Sequence, residues 1–572
     1  MKTKKLIIPI VALGLAFAAC EDNMNYNEYT VVDKEFVELT FGNVGGFMSQ
    51  LYKAVDYDFG NYSNGAMQAS ATDESEYSKI GNAIEDFYNG GWSATNAKGS
   101  LWTSMFTGIR AANHFLEEFQ NLDFEELKAN PTYKGELYRY QNYQYEARFL
   151  RAYFYFLLVR QYGGVPIMDR QLPANEANSL SRNTSDEVFQ FIIDECDAIK
   201  DDIIKDYSKL GDYSLGITEG GRADRMAVLA LRARAALYWA SPLFNPANDN
   251  ERWYNAAVYS KAVIDECAAD GRKLATKYEQ LWASDNFTNP RIKNELIFCY
   301  RYYKNTGGDN LVETNNYPVG IENGKGGNCP TQNLVDAYDM KNGKAWDEPG
   351  SGYDASKPYD NRDPRMEATV AVNGDVWPTY QKEPLQTYHG GRNGQPMTDA
   401  TTTGYYLKKL CNGAIDLSAN SKYKESYHVY LNFRLGGVYL DYAEAAYRYF
   451  GDSDKKNAEL DMTALEAVNV VRKRAKVGNM TATGDEFWER YKKERMVELA
   501  FEGHRFWDVR RWKEADKYFK SITRMNITLN ADNTYSYERK DVSRQWDDKM
   551  YLFPIPRTEI IKNPNLEQNT GW

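Results

Sequence analysis

EARFLRAYFYFLLVRQYGGVP, residues 146–166, decides the fold. From Glu146 to Tyr162 it holds no Gly or Pro and is apolar nearly all round, so it predicts a helix buried on every side. Gly163, Gly164 and Pro166 then stop it. A helix without a wet face needs neighbours, and the sequence supplies them. Leu101, Met105, Ile109, Ala112, Leu116 and Phe119 form one stripe at helical spacing; Val188, Phe191, Ile192, Cys196, Ile199 and Ile203 form another, with Ser185-Asp186 as its N-cap. Residues 225–241 (RMAVLALRARAALYWAS) are Ala-rich and stop before Pro242, and 255–268 add a shorter helix. Late in the chain come Leu431, Leu435, Val438, Tyr442, Ala445 and Tyr449, then Ala464, Val468, Val471 and Ala475. Gly436-Gly437 inside that helix costs about 1 kcal/mol per Gly against Ala, which predicts a close helix crossing there. Paired helices with short turns predict tetratricopeptide-like packing, although no clean 34-residue period emerges.

Residues 300–430 read differently. Gly pairs at 307–308, 326–327 and 390–391, many Asn and Pro, and little periodicity predict long loops with short extended pieces at 295–298 and 367–370. The fold class is therefore mostly α: a tetratricopeptide-like helical-pair scaffold against an irregular loop-rich half with a few short strands. Asp363-Pro364-Arg365 reads as a capped turn.

The chain is too long, at 572 residues, for one core; about 150 residues per unit gives about four. It opens MKTKK, then a 14-residue apolar run to Ala19, then Cys20, the pattern of a signal peptide over 1–19. Fourteen residues cannot cross about 30 Å of hydrocarbon as a helix. The net charge of -11 becomes -14 once Lys2, Lys4 and Lys5 leave with that segment. A surface that acidic repels phosphate backbones and argues against nucleic acid as a partner. Four His without mutual metal-ligand spacing argue against a catalytic zinc or non-haem iron site, and no cofactor is expected. The remaining cysteines, Cys196, Cys267, Cys299, Cys329 and Cys411, are an odd and scattered set that predicts buried thiols, not a disulfide framework. No GxSxG, GxxxxGK[ST], HExxH or GxGxxG occurs.

Five stretches in order resemble the SusD/RagB family of surface glycan-binding lipoproteins: 146–167, CPTQNLVDAYDMKNGK at 329–344, YDNRDPRMEATV at 359–370, RMVELAFEGHRFWDVRRW at 495–512 and YLFPIPRTEIIKNPNLEQNTGW at 551–572. Ala18-Ala19-Cys20 resembles a lipobox, and Glu21-Asp22-Asn23 resembles the export tag of Bacteroidetes surface lipoproteins. The resemblance implies one SusD-like domain over 20–572, with scaffold at about 101–270 and 428–512 and a ligand-binding half at about 40–100 and 290–427. It implies lipidation at Cys20, surface exposure at the outer membrane, no catalysis, and a SusC-like TonB-dependent β-barrel that takes captured oligosaccharide. Glu498, Arg505, Trp507, Asp508, Arg510 and Arg511 read as a structural knot, and His504 as a packing residue.

Sugars need an aromatic platform with polar groups at its rim. The expected site is Trp92 as platform, in the loop NGGWSATN, with Asp73 as hydroxyl acceptor and Asn96 as a two-way hydrogen bonder. Tyr302, Tyr303 and Tyr317 are candidates for a second wall and Arg392 for a rim donor, whereas Trp102 is assigned to the core. On this reading Trp92→Ala abolishes binding with little change in melting temperature. The alternatives are peptide capture, as in RagB-type relatives, a glycoside hydrolase using two of the many carboxylates, and a structural scaffold without ligand.

Overall fold

The computed structural model describes residues 34–216, 219–283, 294–302 and 309–572. The expected leader, Cys20, Tyr303 and the Tyr302 side chain lie outside the described residues.

Ten helices of seven or more residues are described: α1 (Phe41–Tyr52), α2 (Trp102–His114), α3 (Tyr133–Tyr162), α4 (Ser185–Ile199), α5 (Arg225–Ala240), α6 (Asn250–Ala269), α7 (Leu435–Phe450), α8 (Ala464–Ala475), α9 (Gly484–Glu498) and α10 (Arg505–Arg511). Helices α3 to α9 pack in succession, α4 on α3, then α5, α6, α7, α8 and α9 in turn, with α1 and α2 also against α3. Residues 271–434 leave this stack after α6 and return immediately before α7, yet α6 and α7 are neighbours in space. The loop-rich half is thus an excursion from an uninterrupted helical stack.

Helix α3 carries the scaffold. Phe149, Leu150, Phe154, Leu157 and Leu158 are fully buried, and fully burying each such side chain contributes about 1.5–3 kcal/mol. It begins 13 residues before Glu146, in a polar stretch whose buried groups are paired: Arg139 Nε donates to Glu219 at 2.7 Å, and Asn142 to the Tyr207 hydroxyl at 2.9 Å. Gly108 of α2 lies against it, where an added Cβ would sit 2.6 Å from the Phe154 ring. Helix α4 is capped by Thr184, one residue earlier than read, through a reciprocal bond with Glu187.

Strands β1 (Ser75–Tyr77), β2 (Leu296–Tyr302), β3 (Asn328–Pro330), β4 (Val370–Ala371), β5 (Tyr406–Leu407), β6 (His428–Arg434), β7 (Ser521–Leu529) and β8 (Tyr535–Ser543) form four antiparallel pairs, β1–β3, β2–β6, β4–β5 and β7–β8. Two readings are corrected here. Leu431 lies on β6, not on the helix after it. Residues 364–369 are helical, capped by Asp363, and only Val370 is extended. Two apolar cores result, one in the helical stack and one in the loop-rich half. Strand β6 belongs to both, through Phe433 in the first and Val429, Tyr430 and Leu431 in the second.

A buried charge cluster closes the join. Glu498, fully buried, accepts from Arg365 at 2.8 Å, from Arg434 at 2.7 Å and from Arg474. Arg434 also meets Glu295 and Glu502, Arg365 meets Asp363 and Glu494, and Arg495 bridges Asp441 and Asp508. Burial opposes ionisation of Glu498, but the three guanidinium groups win and hold its carboxyl well below the usual range. Gly436 is explained by this cluster: an added Cβ would sit 2.5 Å from the Arg434 guanidinium and 2.8 Å from Glu295 Oε1. The expected helix crossing is a charge pocket instead. The five described cysteines are free and buried, and burial pushes the Cys267, Cys299 and Cys329 thiols up to about 12.

Candidate ligand-binding cleft

Where the two cores meet, residues 55–62 of the N-terminal segment cross over α3 and β6 and leave a cleft of about 370 Å³. Its walls are aromatic: Tyr57 and Tyr62 from that segment, Tyr153 and Phe156 from α3, Tyr238 from α5, Tyr430 and Phe433 from β6, and Trp507 from α10. Tyr57 stacks on Tyr300 of β2, with ring centroids 4.1 Å apart and planes 12° off parallel. The Arg160 guanidinium sits 4.7 Å from the Trp507 ring centre.

The polar lining is fixed by short bonds. Asp56 pairs with Arg160 at 2.9 Å and accepts from the Tyr153 hydroxyl; its carbonyl accepts from Asn432 at 3.0 Å. Asp58 accepts the backbone N–H of Gln68 at 2.7 Å and of Gly60 at 3.2 Å, and burial pushes its carboxyl up to about 7 against those bonds. His504 lines the same cleft, and burial together with Arg234, Arg495 and Arg434 holds its imidazole neutral. Two buried atoms around this space, Asn432 Oδ1 and Arg160 Nε, have no hydrogen-bond partner. The Tyr62 hydroxyl is pushed up by burial and lowered by its hydrogen bond with the Gln68 side chain. A buried polar group left unmet costs about 1–3 kcal/mol.

None of the described residues expected for the site lines this cleft. Trp92 is 4% exposed and packs on Phe87, Phe553 and the C-terminal Trp572 at 4.6–4.9 Å, so it is core and not an open platform. Asp73 is buried in a bidentate pair with Arg505, at 2.8 and 2.7 Å. Asn96 braces its own loop through Asp86 and Gly91. Tyr317 is fully buried and donates to the carbonyls of Asn412 and Ile415. Arg392 stays at the surface, where it donates to the Pro384 carbonyl. Trp102 is core, as read. What the sequence reading missed is VDYDFGNYSNG, residues 55–65, where acids and aromatics alternate in a Gly- and Asn-rich stretch without helical period.

Two family models match this chain. One, described as the SusD family, covers residues 294–572; the other, described as starch-binding and associating with the outer membrane, covers residues 40–237. The chain belongs to the SusD family. Among its relatives, SusD-like protein P2 of Formosa agariphila is 23% identical over 492 residues, covering 82% of this chain and 79% of that protein. The starch-binding protein SusD of Bacteroides thetaiotaomicron is 25% identical over 460 residues, covering 75% and 72%. The crystal structure of a SusD-like protein from Bacteroides fragilis superposes with a TM-score of 0.74 at 24% identity, covering 93% of this chain and 97% of that one. This likeness shows that the mostly helical fold is the SusD fold. Among the described residues no helix is long and apolar enough to cross a membrane, and no group of three or more His, Cys, Asp or Glu is placed to hold a metal ion.

Proposed function

We propose that this SusD-family protein is a surface lipoprotein, anchored through Cys20, that captures oligosaccharide in the seam cleft. It passes the sugar unchanged to a SusC-like TonB-dependent barrel. The observation that carries the reading is the lining of one cleft by five tyrosines, Tyr57, Tyr62, Tyr153, Tyr238 and Tyr430, together with the amide side chains of Asn61, Gln68 and Asn432. Aromatic faces take the C–H side of a sugar while fixed hydroxyl and amide atoms meet its hydroxyls. A volume of about 370 Å³ falls within the usual range for small-ligand sites, about 300–1,000 Å³. The match to a starch-binding relative supports sugar over peptide. The large Arg–carboxylate cluster supports binding over catalysis, because those carboxylates are committed to the fold.

Affinity electrophoresis of the purified chain against a polysaccharide panel, with a reducing-end assay run in parallel, tests the reading. Retardation by at least one polysaccharide without new reducing ends is expected. Release of reducing ends, or retention of peptides and no glycan, would overturn it.

A further inference from the structure

We infer that the seam cleft selects uncharged, hydroxyl-bearing glycans over sulfated or uronic ones, and that Asp58 is the residue that enforces the choice. This rests on the cleft being the ligand site and goes on to name the class of ligand it takes.

The selectivity comes from the charges of the lining. Its ionisable groups are Asp56 and Asp58 from the N-terminal segment, Arg160 from α3, Arg234 from α5, and Glu502 and His504 from the turn before α10, beside several tyrosines. Both cations are already spent: Arg160 on Asp56 at 2.9 Å, and Arg234 on Asp441 at 2.7 Å. Glu502 is held by Arg434 and Lys409, each at 2.7 Å. His504, surrounded by guanidinium groups, carries no charge. Asp58 alone has no cation within ion-pair distance among the described residues, and meets only two backbone N–H groups.

An incoming sulfate or carboxylate therefore finds both cations already paired and one carboxylate without a cation. To pair with Arg160 it would have to displace Asp56 and leave that carboxylate desolvated and unpaired, the costly outcome for a buried ion pair. A neutral hydroxyl faces no such conflict. The other polar groups of the lining include the hydroxyls of its tyrosines and the amides of Asn61, Gln68 and Asn432, the partners that sugar hydroxyls require. Burial pushes the Asp58 carboxyl up to about 7, so the repulsion it supplies grows as pH rises through that value.

The test uses the whole chain and matched ligand pairs that differ only in charge. They are laminarin with and without chemical sulfation, amylose with and without carboxymethylation, and methyl-esterified with de-esterified homogalacturonan. Within a bound pair the neutral member is expected to bind at least tenfold more tightly at low salt. High salt screens the penalty and narrows the gap, and Asp58→Asn narrows it at low salt while the melting temperature shows the variant folded. An anionic member bound as tightly as its neutral partner would overturn the proposal. So would a gap unmoved by Asp58→Asn, which would remove Asp58 from the role. If only an anionic glycan binds and Asn432→Leu abolishes it, the cleft assignment stands and the selectivity fails. If every measured affinity ignores Asn432→Leu and Tyr57→Ala, the cleft assignment itself fails.

Discussion

Replacing Glu498 by Gln removes one negative charge and almost no volume, so the loss it causes is electrostatic. The side chain is fully buried and faces Arg365, Arg434 and Arg474 at once, so its loss leaves three buried guanidinium groups to share the remaining carboxylates Asp363, Glu494, Glu295 and Glu502. Removing one partner of a buried ionic group costs about 3–5 kcal/mol, because uncompensated charge is left behind. Unfolding entropy is about 2.1 cal/mol/K per residue, or about 1 kcal/mol/K for a unit of roughly 550 residues, so the melting temperature should fall by about 3–5 °C. Differential scanning calorimetry at pH 7 reads this directly. Lys517→Gln is the control, since its pair with Glu489 is half-exposed on both sides and such pairs contribute about 0–1 kcal/mol. A Glu498→Gln loss no larger than the control's would refute the reasoning. Lost glycan affinity with unchanged stability would refute it too, by making the cluster a binding element.

Gly108→Ala drives a methyl into the Phe154 ring and should cost about 1–3 kcal/mol in denaturant melts. Trp92→Ala should lower stability by about 3–5 kcal/mol while the folded fraction keeps its oligosaccharide affinity, the reverse of what the loop's sequence suggests; titration calorimetry beside a thermal melt separates the two. Burial opposes charge on His428, but Glu313 and Asp309 raise it to about 9, and burial raises Glu74 to about 8 and Asp58 to about 7. Stability linked to these raised groups is present at low pH and lost as pH climbs through those values. Glu494, Glu498, Glu502 and Asp508 are held low by their arginines and act oppositely, losing their contribution as pH falls through their folded values. Melting temperature should therefore fall steadily from pH 6 to pH 9; a flat profile would contradict the assignment.

The helical stack was legible because its signal is local. Helix α8 begins and ends where its apolar period does, and α5 within a residue, since burial on one face repeats every turn. Strand β6 was misread because it is buried on nearly every residue, which erases the alternation that marks a strand. The expected site residues were misread for a different reason. Trp92 sits among Gly, Ser and Asn, and only the C-terminal segment, more than 450 residues away, turns it into core. Asp73 looks free until Arg505 arrives across 432 positions. The cleft lies where residues 55–62, α3 and β6 converge, and no local period records such a meeting. The structural role of the Arg–Asp–Trp knot was readable, since so many charges in one apolar stretch can be buried only as pairs.

The crystal structure of this chain with an oligosaccharide selected by affinity electrophoresis tests the central claim most directly. The account predicts sugar density in the seam cleft, a ring face against Tyr57 and hydroxyls within hydrogen-bonding distance of the Asn61, Gln68 or Asn432 side chain. Density elsewhere on the surface, with the cleft empty, would contradict it.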